Sequence, residues 1–463
     1  MQLIYNVNDK PKFTRVIVFA LQQILAILAA TILVPVIVGN GMSQSAALFG
    51  AGAGTLIYQL FTKRRSPVFL GSSFAFLGSM AAAFAGGVSA SAGHLGLIIG
   101  AIMAGLVYVI IAIVIKYVGV NWLNKLLPAV VIGPTVAIIG LSLAGNAITD
   151  LTTGPSLYLA LLCGIVTLFA VMIASVFGKK MMKMIPFIIG IIAGYVLATV
   201  FTVIGHIADA PKLILIDFSI FKNMSWLPEF TFIKAFEGEL TFGKYENFWG
   251  YLGSIAVAYV PVAAVVLAEH IADHKNLSSI IGHDLLEDPG LSNTLLGDGV
   301  GSMVGAVFGG CPNTTYGESV GCVAISGNAS TITITVTAFI AMAASFFAPF
   351  VTFLATIPKC VMGGICIALY GFIAVSGLKM LQNVDLGDNR NLFVVSTILI
   401  VGVGKLVLNI GKVTLTAVAC ALILGIIANI ILHIKKDDET VEEAEETPET
   451  EETVETVEVS EEN

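Results

Sequence analysis

The sequence predicts an all-α polytopic membrane protein of about fourteen transmembrane segments in two inverted seven-segment repeats. Three observations predict it. Of the 463 residues, 57% are hydrophobic and 12% charged, and the mean hydropathy is +0.93, outside the range of an ordinary soluble domain. Apolar runs long enough to span about 30 Å of hydrocarbon recur along the chain, several interrupted by Gly or Pro. Finally, three short motifs of the first half return in the same order in the second. They are Val34-Pro35-Val36 with Val260-Pro261-Val262, Ser72-Ser73-Phe74 with Thr314-Thr315-Tyr316, and Pro128-x4-Gly133 with Pro358-x4-Gly363. An odd number of spans per half inverts the second copy in the membrane.

Taken in order, the first helix is expected from about Phe13 to Val38 and the second from about Ser45 to Phe61, followed by the basic cluster Lys63, Arg64 and Arg65. The positive-inside rule makes that cluster cytoplasmic. Alternation from there places Lys10, Lys12, Lys116, Lys125, Lys180 and Lys435 on the same side. The short outer loops at about 39–44, 86–92 and 145–154 hold no Lys or Arg, so both termini are expected in the cytoplasm. The polar interval 206–246, with Trp226, is expected as an outer loop between the repeats. No cleavable targeting segment is expected, because the first apolar run is far longer than a signal-peptide core. Fourteen of the 31 acidic residues lie in Asp437–Asn463, which leaves 17 against 23 basic ones, a body of +6. The tail, 435–463, is low-complexity and self-repelling and is expected to be disordered. Cys163, Cys311, Cys322, Cys360, Cys366 and Cys420 show no metal spacing and are expected to fill the core.

Function is concentrated in Gly309–Gly327, GGCPNTTYGESVGCVAISG, which carries Glu318 between apolar ends. An ionisable group at membrane depth marks a functional site. The glycines and Pro312 break a helix and leave backbone amides free, which survives only where the break lines a cavity. Gly71–Phe76, GSSFAF, is the matching break in the first half; close helix packing by small residues is its plainer explanation. A second constellation, Ala268-Glu269-His270-Ile271-Ala272-Asp273-His274, stands at the end of the eighth segment after a long uncharged run. Glu269 and Asp273 share one helix face, His270 and His274 the neighbouring one. Three readings stay open here: a helix end snorkelling into the interface before a polar loop that begins at His274, a divalent metal site, and a substrate and proton site. In the last, two acids four apart in a poorly solvated cavity cannot both ionise cheaply, so one holds and exchanges a proton. Two carboxylate acceptors with backbone donors from two broken segments suit a small planar molecule of alternating N–H and C=O groups, such as uracil.

The residues LGSSFAFLG (70–78), AEHIADH (268–274), DPGL (288–291), GDG (297–299), PNTTYGES (312–319) and VMGGICIALYG (361–371) resemble the bacterial uracil permeases of the nucleobase-ascorbate transporter family, over nearly all of 12–434. The resemblance implies helices 1–4 and 8–11 as a core (about 12–116 and 247–356) and helices 5–7 and 12–14 as a gate (about 125–205 and 358–434), within one transporter domain, 1–434. It implies short β-strands in the broken segments 3 and 10, which form the substrate site. It implies that Glu269 and Glu318 hold uracil, that backbone at Phe74 and Gly317 completes the contacts, and that Tyr316, with Ser73 and Thr315, shapes the pocket. Glu269 with Asp273 would couple a proton, with sodium left open as the driver.

The implied protein is a plasma (inner) membrane symporter, not an enzyme, without cofactor, metal or nucleic acid, embedded in lipid, with a homodimer as the assembly the resemblance allows. Several positions depart from the family pattern: Ser319 for Asn, Ser326 for Thr, Gly327 for Arg, Gln22-Gln23 for Gln-His, and Asp273 for His. Gly327 and Asp273 favour a xanthine or purine permease, whereas Glu318 favours uracil. More distant is an anion transporter or channel of the same architecture, against which the two carboxylates argue.

Overall fold

The computed structural model describes residues 3–119, 122, 127–179, 181–410 and 413–445. Lys125, Lys180 and residues 446–463, on which expectations were placed, lie outside the described residues. The first half contains α1 (Phe13–Val38), α2 (Gln44–Phe61), β1 (Leu70–Ser72), α3 (Leu77–Ala83), α4 (Ala90–Val118), α5 (Ala129–Ser142), α6 (Ala144–Leu151), α7 (Leu157–Phe177) and α8 (Pro186–Ile207). The second contains α9 (Phe248–Ile281), α10 (Leu291–Gly309), β2 (Asn313–Thr315), α11 (Gly317–Ser326), α12 (Thr331–Ala344), α13 (Ala348–Ala355) and α14 (Lys359–Lys379). It closes with α15 (Asn389–Val403), β3 (Leu408–Ile410), β4 (Val413–Leu415) and α16 (Ala417–Glu445), which continues past the boundary at 435 expected for the tail.

Among the described residues, seven helices are long and apolar enough to cross a membrane, or eight if α12 and α13, bent by 81°, make one span. They pack in two groups. In one, α10 lies between α2 and α4, α9 lies on α4, and α12 packs on α1 and α2. In the other, α14 packs on α5 and α7, α8 on α7, and α15 on α5 and α16. The interval 206–246 folds as short 3₁₀ turns and one helical turn, tied down where Lys234 Nζ donates to the Gly41 carbonyl (2.5 Å). All six cysteines are buried and free, as core packing requires.

Two short strands break the helical pattern at the centre of the first group. β1 and β2 pair antiparallel, Leu70 opposite Thr315, Gly71 opposite Thr314 and Ser72 opposite Asn313, and the Ser73 N–H adds a bond to the Pro312 carbonyl at 2.9 Å. Unpaired backbone is costly in hydrocarbon, so each strand satisfies the other across about 240 residues of sequence. Gly71 is required here, since a Cβ on it would lie 2.3 Å from the Tyr316 ring. That ring is held in place by its hydroxyl, which donates to the Ser72 carbonyl (2.8 Å). The Asn313 amide reaches the Gly50 carbonyl (3.1 Å) and fastens β2 to α2.

α9 corrects one expectation. The sequence suggests a helix end near His274, but the helix runs on to Ile281 and stops at left-handed Gly282. Over 34 residues it is about 51 Å long at 1.5 Å per residue. The polar residues that read as the start of a loop are buried and partnered instead. His270 Nδ1 is hydrogen-bonded to Asp298 Oδ2 (2.7 Å), and its Nε2 lies 3.0 Å from Thr294 Oγ1. His274 Nε2 is 2.6 Å from the Tyr58 hydroxyl, and the two imidazoles stack at 4.1 Å. Both histidines are buried, which removes the snorkelling explanation. Below α9, the Arg65 guanidinium hydrogen-bonded to Asp288, with His283 also nearby, holds that carboxyl below its usual range and ties the loop after α2 to the loop after α9.

Candidate functional site

The two strands each lead into a short helix, and both helices start without a side-chain cap. β1 is followed by a 3₁₀ turn, Phe74–Phe76, whose N-cap Ser73 makes no capping bond. β2 is followed by α11, whose N-cap Tyr316 makes none either. The first amides of a helix have no partner within it, and together they carry a partial positive charge. The sequence therefore folds locally into two uncapped donor groups, aimed at one place by the strand pair beneath them.

That place is a cavity of about 380 Å³, within the usual range for small-ligand sites. Its polar wall comprises Glu269 and Asp273 from α9, Thr314 and Tyr316 from the β2 segment, and Gly317 and Glu318 from α11. Phe74 and Ala75 add the other uncapped turn. The opposite wall is apolar and comes from the second helix group, with Val136 and Ile139 of α5, Phe187 of α8, and Phe372 of α14. A planar ligand would thus have hydrogen-bonding groups on one side and rings and branched chains on the other.

Glu269 has no hydrogen-bond partner among the described residues, so its oxygens are available to a donor in the cavity. Glu318 is the second residue of α11, in the first turn, where the helix end favours a carboxylate. Asp273 is already engaged, since its Oδ2 accepts from Thr315 Oγ1 at 2.8 Å. A Cβ on Gly317 would be 3.8 Å from the other Asp273 oxygen, so Asp273 sits between the strand and the start of α11.

Of the residues named from sequence, Glu269, Glu318, Asp273, Phe74, Tyr316 and Gly317 meet at this cavity. Ser73 and Thr315 do not line it. Ser73 is buried and continues the strand pairing, and Thr315 acts through Asp273. The metal reading of His270 is excluded by its own partners, Asp298 and Thr294, which occupy both ring nitrogens. Two departures in the sequence turn out to be one contact: Gln23 Nε2 donates to Ser319 Oγ (2.5 Å), which also accepts from the Phe69 N–H (2.9 Å). Asp298 was missed as a structural partner, although a lone acid in the run LLGDGVGSM is itself a signal. The apolar wall left no signal, because its residue types fill every span.

Residues 14–411 match the model described as Permease family. The uracil permease of Bacillus caldolyticus is 38% identical over 436 residues, covering 93% of this chain and 94% of that protein. The uracil permease of Escherichia coli K12 is 31% identical over 449 residues, covering 95% and 97%. Among solved structures, the transmembrane domain of a cyanobacterium bicarbonate transporter, BicA, superposes with a TM-score of 0.57 at 14% identity, covering 92% of this chain and all of that one. That likeness shows a shared fold.

Proposed function

Because this chain belongs to the Permease family, we propose that it is a proton-coupled uracil importer that works by alternating access. The observation that carries this reading is one cavity lined by Glu269, Glu318 and two uncapped helix starts. Uracil offers two N–H donors and two carbonyl acceptors. Its N–H groups would donate to the two carboxylates, in charge-assisted bonds of the stronger kind, and its carbonyls would accept from backbone N–H groups at Phe74 and Gly317. The ring would lie against the apolar wall, with Tyr316 closing one side. The relatives are named permeases, transporters rather than enzymes, and the chemistry asked of the site is binding and release.

In this reading the fourteen segments form two inverted repeats that meet at the β1–β2 pair. The first helix group is the core (about 12–116 and 247–356) and the second the gate (about 125–205 and 358–434). The cavity between them supports a rigid-body movement that exposes the site to either side in turn. Both termini lie in the cytoplasm, and the protein sits in the plasma membrane, as a homodimer. Glu269 holds the transported proton and Asp273, tied to Thr315, reports its state to the strand. The xanthine alternative rests on Gly327 and Asp273; Gly327 lies at the other end of α11, about 15 Å from Gly317 at 1.5 Å per residue, and Asp273, though at the cavity, is engaged by Thr315.

Uptake of labelled uracil into cells expressing the protein tests the coupling. Collapsing the pH gradient at constant sodium is expected to end accumulation above the external concentration. Accumulation that survives the collapse and stops on sodium removal would contradict the proton assignment.

A further inference from the structure

The N-terminal residues ahead of α1 form a bridged segment that lies on the far end of the half-helix bearing Glu318. Tyr5 bridges Asn328 in parallel. The Ile4 N–H donates to the Gly327 carbonyl (2.7 Å), the Ala329 N–H to the Tyr5 carbonyl (2.9 Å), and the Thr331 N–H to the Val7 carbonyl (3.1 Å). Ser330 Oγ adds a bond to the Asp9 carbonyl (2.7 Å). Exposure alternates along this stretch: Leu3, Tyr5, Val7 and Asp9 are partly covered, and Ile4, Asn6, Asn8 and Lys10 are exposed. One face of the segment is therefore packed, through the bridge at Tyr5 and a turn closed by the Asp9 N–H to the Asn6 carbonyl (3.1 Å).

The packed face joins the elements that build the site. Leu3 and Val7 press on a buried cluster made by Tyr58 of α2, Leu70 of β1, Leu277 of α9, and Val320 and Val323 of α11. Tyr5 is fixed in turn by α1, through Arg15 Nη1, which donates to its hydroxyl (2.7 Å), and through an edge-on contact with Phe19. Gly327 makes room for the arrangement. It has φ +65, in the left-handed region, and a Cβ there would lie 3.2 Å from Ile4 Cγ1. A helix of ten residues is marginal alone, so α11 depends on what holds its two ends. At the cavity end it is held by β2 and by the Gln23–Ser319 bond, and at the other end by this strap.

We propose that residues 3–9 are a positioning strap that holds α11 in register with β1 and α9 and so keeps the substrate site assembled. The inference rests on the reading of Glu318 as a substrate ligand. When the strap is released, the assembled arrangement is one of several, and the apparent Kd rises in inverse proportion to its population.

The test is made on the full-length purified protein, with hydrogen–deuterium exchange, thermal unfolding and equilibrium binding of labelled uracil. Val7→Asp places a charge in the apolar cluster. Gly327→Val expels the strap from the opposite side and serves if Val7→Asp does not fold. Asn8→Asp, on the exposed face, adds the same charge as a control, and Val7→Ile tests rescue. The expected result is faster exchange across 317–326 and 70–72 with uracil binding weakened about tenfold, as for a competent fraction near one tenth. The control and Val7→Ile stay at wild-type values. Faster exchange confined to 3–9, or a lower Tm with unchanged uracil Kd, would overturn the proposal. If wild-type protein binds no uracil while Val7→Asp still loosens 317–326, the strap stands and the substrate reading falls.

Discussion

Glu269→Ala is expected to abolish uracil binding and uptake, with Kd raised at least about 100-fold, which corresponds to about 3 kcal/mol. Hydrogen bonds to a charged acceptor contribute about 1.5–3 kcal/mol, and removing the acceptor also leaves the ligand's donor unpaired in a poorly hydrated cavity. The fold should not suffer. Glu269 has no hydrogen-bond partner among the described residues, so the substitution breaks no internal bond. The side chain lines the cavity. Binding should therefore disappear while Tm stays the same or rises, because an unpaired acid in a poorly hydrated cavity is a cost to the folded state. A Glu269→Ala protein that accumulates uracil at the wild-type rate would show that the carboxylate is not a ligand.

Glu318→Gln is the second large effect and has a different signature. The substitution keeps size and one acceptor but removes the charge and adds an N–H donor. Loss of charge assistance is expected to weaken uracil binding about tenfold, or about 1.4 kcal/mol. The new donor changes which ligand edge fits. Xanthine, a poor competitor of wild type, is therefore expected to compete with uracil in the variant. Competition binding on both proteins decides this. Equal displacement by xanthine before and after the substitution would mean that Glu318 does not read the base. The same change removes a favourable interaction with the start of α11, so a small fall in Tm accompanies it.

Much of this was legible in the sequence, for reasons that differ by residue. α1 was expected at Phe13–Val38 and is found there, because a long apolar run bounded by Lys12 and Gly39 leaves little choice. The two breaks were legible because Gly and Pro are out of place in a span, and the two glutamates because charge is. The end of α9 was misjudged for a related reason. Asp273, His274, Lys275 and Asn276 look like a loop unless one knows that Tyr58, distant in sequence, waits for His274. Local polarity cannot distinguish a solvated helix end from one whose polar groups are paired by other helices. The strap was hidden likewise. Its alternation is written in LIYNVND, but the partner segment is more than 300 residues away and only the fold brings it near. The apolar wall could not be read at all, since Val136 and Phe372 differ in no way from their neighbours until the second helix group is placed against the first.

The most direct test of the central claim is equilibrium binding of labelled uracil to the purified wild-type protein at acidic and alkaline pH, with 5-fluorouracil and xanthine as competitors. The account predicts saturable binding that 5-fluorouracil displaces and xanthine does not. It predicts weaker binding at alkaline pH, because a ligand whose binding is coupled to proton uptake loses affinity as protons become scarce. Absence of uracil binding together with saturable xanthine binding would contradict it.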